Sequence, residues 1–199
     1  MYNIIIYVLI SIASYGIGCF STARVLAKSF KYLNIYKVGT GFADTENIYS
    51  NISKPLGIVA AILDSGKMFL YLSIIKFFFI YAGYEELSLQ IPLFIFGFFM
   101  IGGHCLPVTH KFRGGRGIFT YIGLMMFFAF QPMIYVLLIA IVIIMLFKQI
   151  RFAQFFIVLF PPILSVFWIE SRQLLTLMFI TAFLMGVLNL IVARRLGEI

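Results

Sequence analysis

The stretch GHCLPVTHKFRGGRG, residues 103–117, is basic and rich in glycine, and it lies between two strongly apolar runs at residues 91–102 and 118–130. Three glycines around Arg116 permit a ligand to approach the backbone N–H groups closely. The helix predicted to follow directs the positive end of its dipole to the same point. Arg113 and Arg116 carry planar guanidinium groups that suit phosphate oxygens. The stretch therefore predicts an anion site at the edge of a membrane; the alternative is a basic loop that only sets membrane orientation.

The composition predicts an all-α integral membrane protein with a single domain over residues 1–199. Of the 199 residues, 63% are hydrophobic and 11% are charged, and the mean hydropathy is +1.08. A soluble domain of this size cannot bury so much apolar surface. Only helices or a closed barrel span a bilayer, and helices are favoured because the apolar runs are continuous.

About seven transmembrane helices are predicted. The apolar segments cover residues 3–23, 55–81, 91–103, 118–130, 133–147, 152–169 and 174–193, compared with the roughly 17–25 residues that a spanning helix needs. Gln131 and Pro132 are predicted to form a tight turn between the fourth and fifth segments, and Pro161 and Pro162 to bend the sixth.

The charges of the loops predict an orientation. Lysine and arginine follow the first, third, fifth and seventh segments, whereas the loops after the second, fourth and sixth segments carry Glu85, Glu86, Gln131, Glu170 and Arg172. The positive-inside rule then places the N-terminus outside and the C-terminus in the cytoplasm. The first segment lacks a basic leader, which predicts a retained anchor instead of a cleaved signal peptide. The two long polar loops, residues 24–54 and 104–117, share the cytoplasmic face.

The net charge of +8 does not indicate a nucleic-acid partner. The basic residues are distributed among short loops between apolar runs, which is typical of membrane orientation and of binding to anionic ligands or lipids. His104, Cys105 and His110 lack a fourth ligand at suitable spacing, so no metal site is predicted.

Residues 38–48, VGTGFADTENI, form a second polar motif. A glycine–hydroxyl–glycine turn can offer N–H and O–H donors to a phosphate. The alternative is an ordinary turn in which Asp44 or Thr45 caps a helix.

Two further features lie in or near the apolar segments. Asp64 and Lys67 are three residues apart and share a helix face, either as a functional pair or as a structural one. His104 stands at the membrane boundary, where it can bind a phosphate, act as a general base or serve a structural role.

Taken together, these motifs resemble the PlsY family, the bacterial integral-membrane acyl-phosphate:glycerol-3-phosphate acyltransferases. Residues 103–117 resemble its GHxxPV…KFKGGKG loop, residues 38–47 its VGSGNPGATN loop, and residues 63–67 its LDxxK motif. The resemblance implies acyl transfer from acyl phosphate to the 1-hydroxyl of glycerol 3-phosphate in phospholipid synthesis. It implies an active site on the cytoplasmic side of the bacterial inner membrane, with membrane lipids as partners and with neither cofactor nor metal.

The resemblance also implies the site residues. The catalytic candidates are Arg116, Thr40 and His104. The substrate-binding candidates are Gly39, Gly41, Asn47, Lys67, Arg113, Gly114, Gly115 and Gly117. No protein base is evident, so the acceptor hydroxyl is expected to be activated by the phosphate of the substrate.

Several positions depart from the family pattern and leave other functions open. They are Phe42, Asp44, Ser50 and residues 189–198, which contain no histidine. Asp44 is expected to repel a phosphate unless it points away or pairs with a lysine. One alternative is a catalytically impaired relative that binds lipid or partners and regulates lipid synthesis. Another is a small transporter of a phosphorylated solute, although no inverted repeat is found.

Overall fold

The computed structural model describes residues 2–195, and every regular element in that range is a helix. This confirms the all-helical membrane class. The α-helices are α1 (Tyr2–Gly18), α2 (Thr22–Lys31), α3 (Thr45–Asn51), α4 (Lys54–Tyr81), α5 (Gln90–Cys105), α6 (Ile118–Phe128), α7 (Phe130–Phe147), α8 (Ile150–Ser165) and α9 (Arg172–Arg195). Short 3₁₀ turns lie at Ile35–Lys37, Glu85–Ser88 and Val108–His110. Residues 189–198 were noted above as departing from the family pattern, and the last of them, residues 196–198, lie outside the described residues.

Five segments of the described chain are long and apolar enough to cross a membrane. They are Ile4–Lys31, Lys54–Tyr81, Gln90–His110, Phe130–Phe147 and Arg172–Arg194. Helices α6 and α8 are also apolar, but they have only 11 and 16 residues, fewer than the roughly 17–25 of a typical span.

Two predicted boundaries are wrong for local reasons. The first segment was expected to continue to residue 23, but α1 ends at Gly18 because Ser21 starts a new helix, its Oγ accepting a hydrogen bond from Arg24 N at 3.2 Å. Gln131 and Pro132 do not form a turn. They lie in the first turn of α7, where proline is tolerated because its missing N–H has no helical partner.

Helix α5 is the centre of the fold. In the span Gln90–His110, which contains α5, 61% of the most apolar 18-residue stretch is buried, compared with 22–28% in the other four candidate spans. Its buried side chains include Phe94, Phe96 and Met100, which belong to one apolar cluster with Met68 of α4 and Tyr121 of α6. The carboxyl end of α5 leads directly into residues 103–117, so the central helix positions that loop.

Helices α1 and α5 approach each other closely through small residues. A side chain at Gly103 would collide with the backbone carbonyl of Tyr15, and one at Gly18 would collide with the carbonyl of Met100. Small residues are what allow helix backbones to come into contact in a membrane. By contrast, Gly102 has open space around the position of a Cβ atom.

Gly103→Ala is therefore expected to destabilise the protein by roughly 1–3 kcal/mol, because the added methyl group forces two backbones apart. Thermal unfolding of the purified protein in detergent measures the effect. The matched control is Gly102→Ala, which is expected to leave stability unchanged or raise it by up to about 1 kcal/mol. Equal melting temperatures for the two variants would contradict the close crossing of α1 and α5.

Candidate active site

The two polar loops predicted from the sequence meet in the structure. Ala43 N donates a hydrogen bond to Gly114 O at 3.4 Å. A Cβ atom at Gly115 would lie 2.9 Å from Ala43 O, from Asp44 Cβ and from His104 Nε2. Neither Gly114 nor Gly115 has space for a side chain. A Cβ atom at Gly114 would collide with the carbonyl oxygens of His104 and Cys105 in its own loop, whereas the lack of one at Gly115 lets the two loops pack against each other.

Tyr36 and Arg113 make a second contact between the loops. Tyr36 Oη donates a hydrogen bond to Arg113 O at 3.0 Å. The Arg113 guanidinium lies 5.4 Å from the centre of the Tyr36 ring, a cation–π distance. Arg113 is consequently placed over the outer edge of the site.

Asn47 holds the shape of the loop at residues 38–42. Its Nδ2 donates to the carbonyl oxygens of Ile35, Val38 and Phe42 at 3.3, 3.0 and 2.9 Å, and its Oδ1 accepts from Thr40 N at 3.2 Å. The side chain is fully buried. Both ends of the Asn47 amide are therefore engaged with the loop itself.

The other residues of that turn follow from the same geometry. Gly39 and Gly41 have φ values of +54° and +72°, in the left-handed region that favours glycine. The Thr40 hydroxyl accepts a hydrogen bond from Phe42 N at 3.4 Å.

Arg116 lies at the centre of the site and is only 8% exposed. Its guanidinium forms an ion pair with Glu46 and lies 4.0 Å from Asp44 Oδ2. It also lies 4.3 Å from the centre of the Phe42 ring. Two of the departures from the family pattern, Phe42 and Asp44, therefore contact the arginine. Asp44 pairs with Arg116 and not with a lysine.

Two residues from distant helices add contacts around Arg116. Gln154 of α8 donates its Nε2 to Glu46 Oε2 at 2.8 Å. Asn189 of α9 donates its Nδ2 to Arg116 O at 3.2 Å. Neither Glu46 nor Gln154 was singled out from the sequence. A signal for Gln154 exists, because a polar side chain within an apolar segment is usually functional or paired.

Asp64, Lys67 and His104 form a second polar cluster. Lys67 Nζ lies 3.0 Å from Asp64 Oδ1 and 3.4 Å from His104 Nδ1. Thr22 Oγ1 donates to Asp64 Oδ1 at 2.8 Å, and Lys67 Nζ donates to Phe20 O at 3.0 Å. The ion pair predicted from the spacing of Asp64 and Lys67 is present, and it connects α4 with α5 and with the start of α2.

A narrow polar cavity lies between the two clusters. Its lining residues are Asp44, Thr45, Glu46, Asp64, His104, Arg116, Gly117, Ile118, Phe119 and Gln154. Of the sequence-predicted site residues, Arg116, His104 and Gly117 line this cavity. The other predicted site residues do not line the cavity, but shape or flank it as described above: Gly39, Thr40, Gly41, Asn47, Lys67, Arg113, Gly114 and Gly115. Within residues 2–195 there is no group of three or more His, Cys, Asp or Glu side chains arranged to hold a metal ion.

An apolar groove adjoins the polar cavity. It has a volume of about 250 Å³ and is lined mainly by α8 and α9, with Phe155, Val158, Leu159, Met185 and Leu190 among its residues. Its polar lining consists of Arg116, Arg151, Gln154 and Asn189. Because Arg116 and Gln154 line both spaces, the arginine stands where the polar cavity meets the groove.

This combination defines a helical membrane protein in which a polar, charged cavity and an apolar groove meet at one arginine. The comparisons with known proteins agree. A family model described as glycerol-3-phosphate acyltransferase matches residues 8–197. The chain belongs to that family, which confirms the resemblance to PlsY.

Individual relatives are moderately similar. The glycerol-3-phosphate acyltransferase of Ehrlichia canis is 32% identical over 143 residues, which cover 72% of this chain and 70% of that protein. The Mycoplasma capricolum protein of the same name is 26% identical, and the match covers 81% of this chain and 61% of that protein. A crystal structure of PlsY, an integral membrane glycerol 3-phosphate acyltransferase, in its glycerol 3-phosphate form superposes with a TM-score of 0.76 at 19% identity, covering 95% of this chain and 88% of that one.

Because of Asp44, the stability of the folded protein is expected to depend on pH. Burial raises the pKa of Asp44 to about 6, while the Arg116 guanidinium and the Asn47 N–H act in the opposite direction. Since the folded-state pKa lies above the unfolded value of 3.8, the folded protein holds this proton more tightly. The resulting stability is fully present below about pH 4 and is lost as the pH rises through about 6.

Asp44→Asn is therefore expected to raise the free energy of unfolding by roughly 3 kcal/mol at pH 7.5 and to have little effect at pH 4. The asparagine can still accept the Asn47 N–H hydrogen bond that caps α3, so helix capping is retained. Melting temperatures from pH 4 to pH 8 measure the effect, with the exposed Glu85→Gln as control. Parallel curves for wild type and Asp44→Asn would show that this carboxylate is not responsible.

Proposed function

We propose that this protein transfers an acyl group from an acyl phosphate to the 1-hydroxyl of glycerol 3-phosphate, producing lysophosphatidate for phospholipid synthesis. Membership of the glycerol-3-phosphate acyltransferase family supports the acceptor and the reaction. The observation that carries the proposal is the position of Arg116, which lines both the polar cavity and the apolar groove. A phosphate attached to an acyl chain needs these two environments side by side.

Each of the two substrates is assigned to one or both of these spaces. The acyl chain lies in the groove between α8 and α9, whose lining is mainly apolar. The phosphate of the donor lies at Arg116, a fork-shaped cation suited to its oxygens. Glycerol 3-phosphate enters the polar cavity, which His104 lines and beside which Lys67 lies.

The chemistry then depends on proximity and on charge. The acceptor hydroxyl oxygen bonds to the acyl carbonyl carbon, the bond from that carbon to the phosphate oxygen breaks, and phosphate leaves with the electron pair. Holding both substrates at one point removes much of the entropic barrier. Arg116 stabilises the negative charge that develops on the departing phosphate.

The loop residues support this arrangement. Gly39, Thr40 and Gly41 present the turn that Asn47 holds in place. Arg113 and the glycines at 114, 115 and 117 form the opposite side, with Gly117 in the cavity wall. We assign these residues to substrate binding, and Arg116, Thr40 and His104 to catalysis.

The proposed membrane arrangement is a single domain of seven membrane helices in the bacterial inner membrane. The N-terminus is outside, and the C-terminus and the active site are on the cytoplasmic side. The basic residues of α2 and of residues 111–116 support this orientation through the positive-inside rule. Helices α6 and α8 are short, and local thinning of the bilayer accommodates them.

The carboxylates of the site favour a second candidate function. Glu46 is paired with Arg116, and Asp44 and Asp64 line the same cavity. Negative groups oppose the entry of a phosphate, as expected of a catalytically impaired relative that binds lipid and regulates its synthesis.

The two functions are separated by assaying the purified protein with palmitoyl phosphate and glycerol 3-phosphate. The expected result is equimolar lysophosphatidate and inorganic phosphate, and Arg116→Ala is expected to lower kcat by about 100-fold or more. Arg172→Ala is the control for loss of one positive charge, because Arg172 is exposed at the start of α9. Saturable binding of palmitoyl phosphate without turnover would favour the second function, and full turnover by Arg116→Ala would contradict the role of the arginine.

A further inference from the structure

Two buried polar atoms in the polar cavity lack hydrogen-bond partners among the described residues. They are Asp44 Oδ2 and Thr45 Oγ1. Each side chain is 6% exposed, and both residues line the cavity that also contains Arg116. Leaving such groups unpaired in a folded protein is costly, so their presence in a cavity wall points to a water or a ligand that supplies the missing hydrogen bonds.

The two atoms together fit one chemical group. A carboxylate oxygen can only accept a hydrogen bond, whereas a threonine hydroxyl can donate one. A ligand hydroxyl can donate to Asp44 and accept from Thr45 at the same time. A phosphate oxygen does not fit as well, because an anionic oxygen beside a carboxylate is repelled. The donor and acceptor roles of the two atoms thus favour a hydroxyl group, such as that of a polyol, over a phosphate oxygen.

Asp44 is better suited than Glu46 to take a proton from that hydroxyl. Glu46 Oε2 already accepts hydrogen bonds from Arg116 and Gln154, so this oxygen is occupied by protein donors. Asp44 uses Oδ1 to cap α3 through Asn47 N at 2.9 Å, and its Oδ2 faces the Arg116 guanidinium at 4.0 Å, which is longer than a hydrogen bond.

We propose that Asp44 and Thr45 form the subsite of the reacting acceptor hydroxyl, with Thr45 Oγ1 donating to the hydroxyl oxygen and Asp44 Oδ2 accepting its proton. This inference rests on the proposed acyl transfer for the identity of the reaction. It replaces the expectation that only the phosphate of the substrate activates the acceptor.

The step balances within the proposed reaction. As the hydroxyl oxygen bonds to the acyl carbonyl carbon, its proton moves to Asp44 Oδ2, and the electron pair of the breaking C–O bond leaves with the phosphate. The proton then passes from Asp44 to the departing phosphate, which restores the carboxylate. Arg116, 4.0 Å from Asp44 Oδ2, adjoins both the base and the leaving group.

The charged and titratable groups around Asp44 set the pH at which it works. They are Arg116 of the loop, Glu46 of α3, His104 and Cys105 of α5, and the Asp64–Lys67 pair of α4. Burial raises the pKa of Asp44 to about 6, close to the operating pH that favours a general base. Since only the carboxylate accepts a proton, turnover is expected to fall as the pH drops through about 6.

The kinetic test compares Asp44→Asn with Glu46→Gln over pH 5 to 8. Asp44→Asn is expected to lower kcat by about 100-fold or more without raising KM for glycerol 3-phosphate, and its residual rate is expected to lose the fall near pH 6. Glu46→Gln is expected to keep that fall, whatever its rate. If Asp44→Asn is folded and retains more than a tenth of wild-type kcat, the role of Asp44 as a base is overturned.

A binding test is independent of turnover. Calorimetry compares glycerol 3-phosphate with n-propyl phosphate, which carries the same phosphate and no hydroxyl group. Wild type is expected to prefer glycerol 3-phosphate, and Thr45→Val is expected to reduce that preference roughly 3- to 10-fold. An unchanged preference in Thr45→Val overturns the hydroxyl subsite. A wild-type protein without turnover overturns the proposed function and the proton transfer, and the binding result then decides the subsite alone.

Discussion

The buried ion pair between Arg116 and Glu46 is the interaction on which the rest of the site depends. Arg116 is 8% exposed, and a buried guanidinium without a partner would be strongly destabilising. Glu46 belongs to α3 and Arg116 to the loop before α6, so pairing them requires the two loops to touch. That requirement explains why Gly115 has no room for a side chain beside Ala43 and Asp44. Gln154 of α8 donates a hydrogen bond to the same carboxylate of Glu46.

The same carboxylates have opposite effects on the stability of the site and on its proposed binding of phosphate. Glu46 and Asp44 stabilise the arginine, but they also place negative charge where the proposed reaction handles phosphate. Burial makes the ionised form of Asp44 unfavourable near neutral pH, and in our proposal that ionised form is the active one. Stability and turnover are therefore expected to change in opposite directions as Asp44 titrates, a conflict that is common at catalytic sites.

The sequence predicted the class of fold because continuous apolar runs leave few structural options in a membrane. It also predicted that the two polar loops lie on one face of the membrane, and the resemblance to one family placed candidate site residues in both loops. It did not predict the partners of Arg116. The Glu46–Gln154 hydrogen bond joins residues 108 positions apart, and no local pattern specifies such a pair.

Local chemistry accounts for the remaining differences. Asp44 could be read as a helix cap or as a charge beside a phosphate, and in the structure it both caps α3 and faces Arg116. The break between α1 and α2 occurs where Ser21 caps α2 with a hydrogen bond. A single serine within an apolar run does not reveal such a break.

The most direct test of this account is a double-mutant cycle between Arg116→Gln and Glu46→Gln, measured by unfolding of the purified protein. Each single substitution leaves a buried charge without its main partner, and the double substitution removes both charges. The account predicts a coupling energy of about 2 kcal/mol or more between the two positions. Additive effects, within about 0.5 kcal/mol, would contradict the claim that this ion pair holds the two loops together.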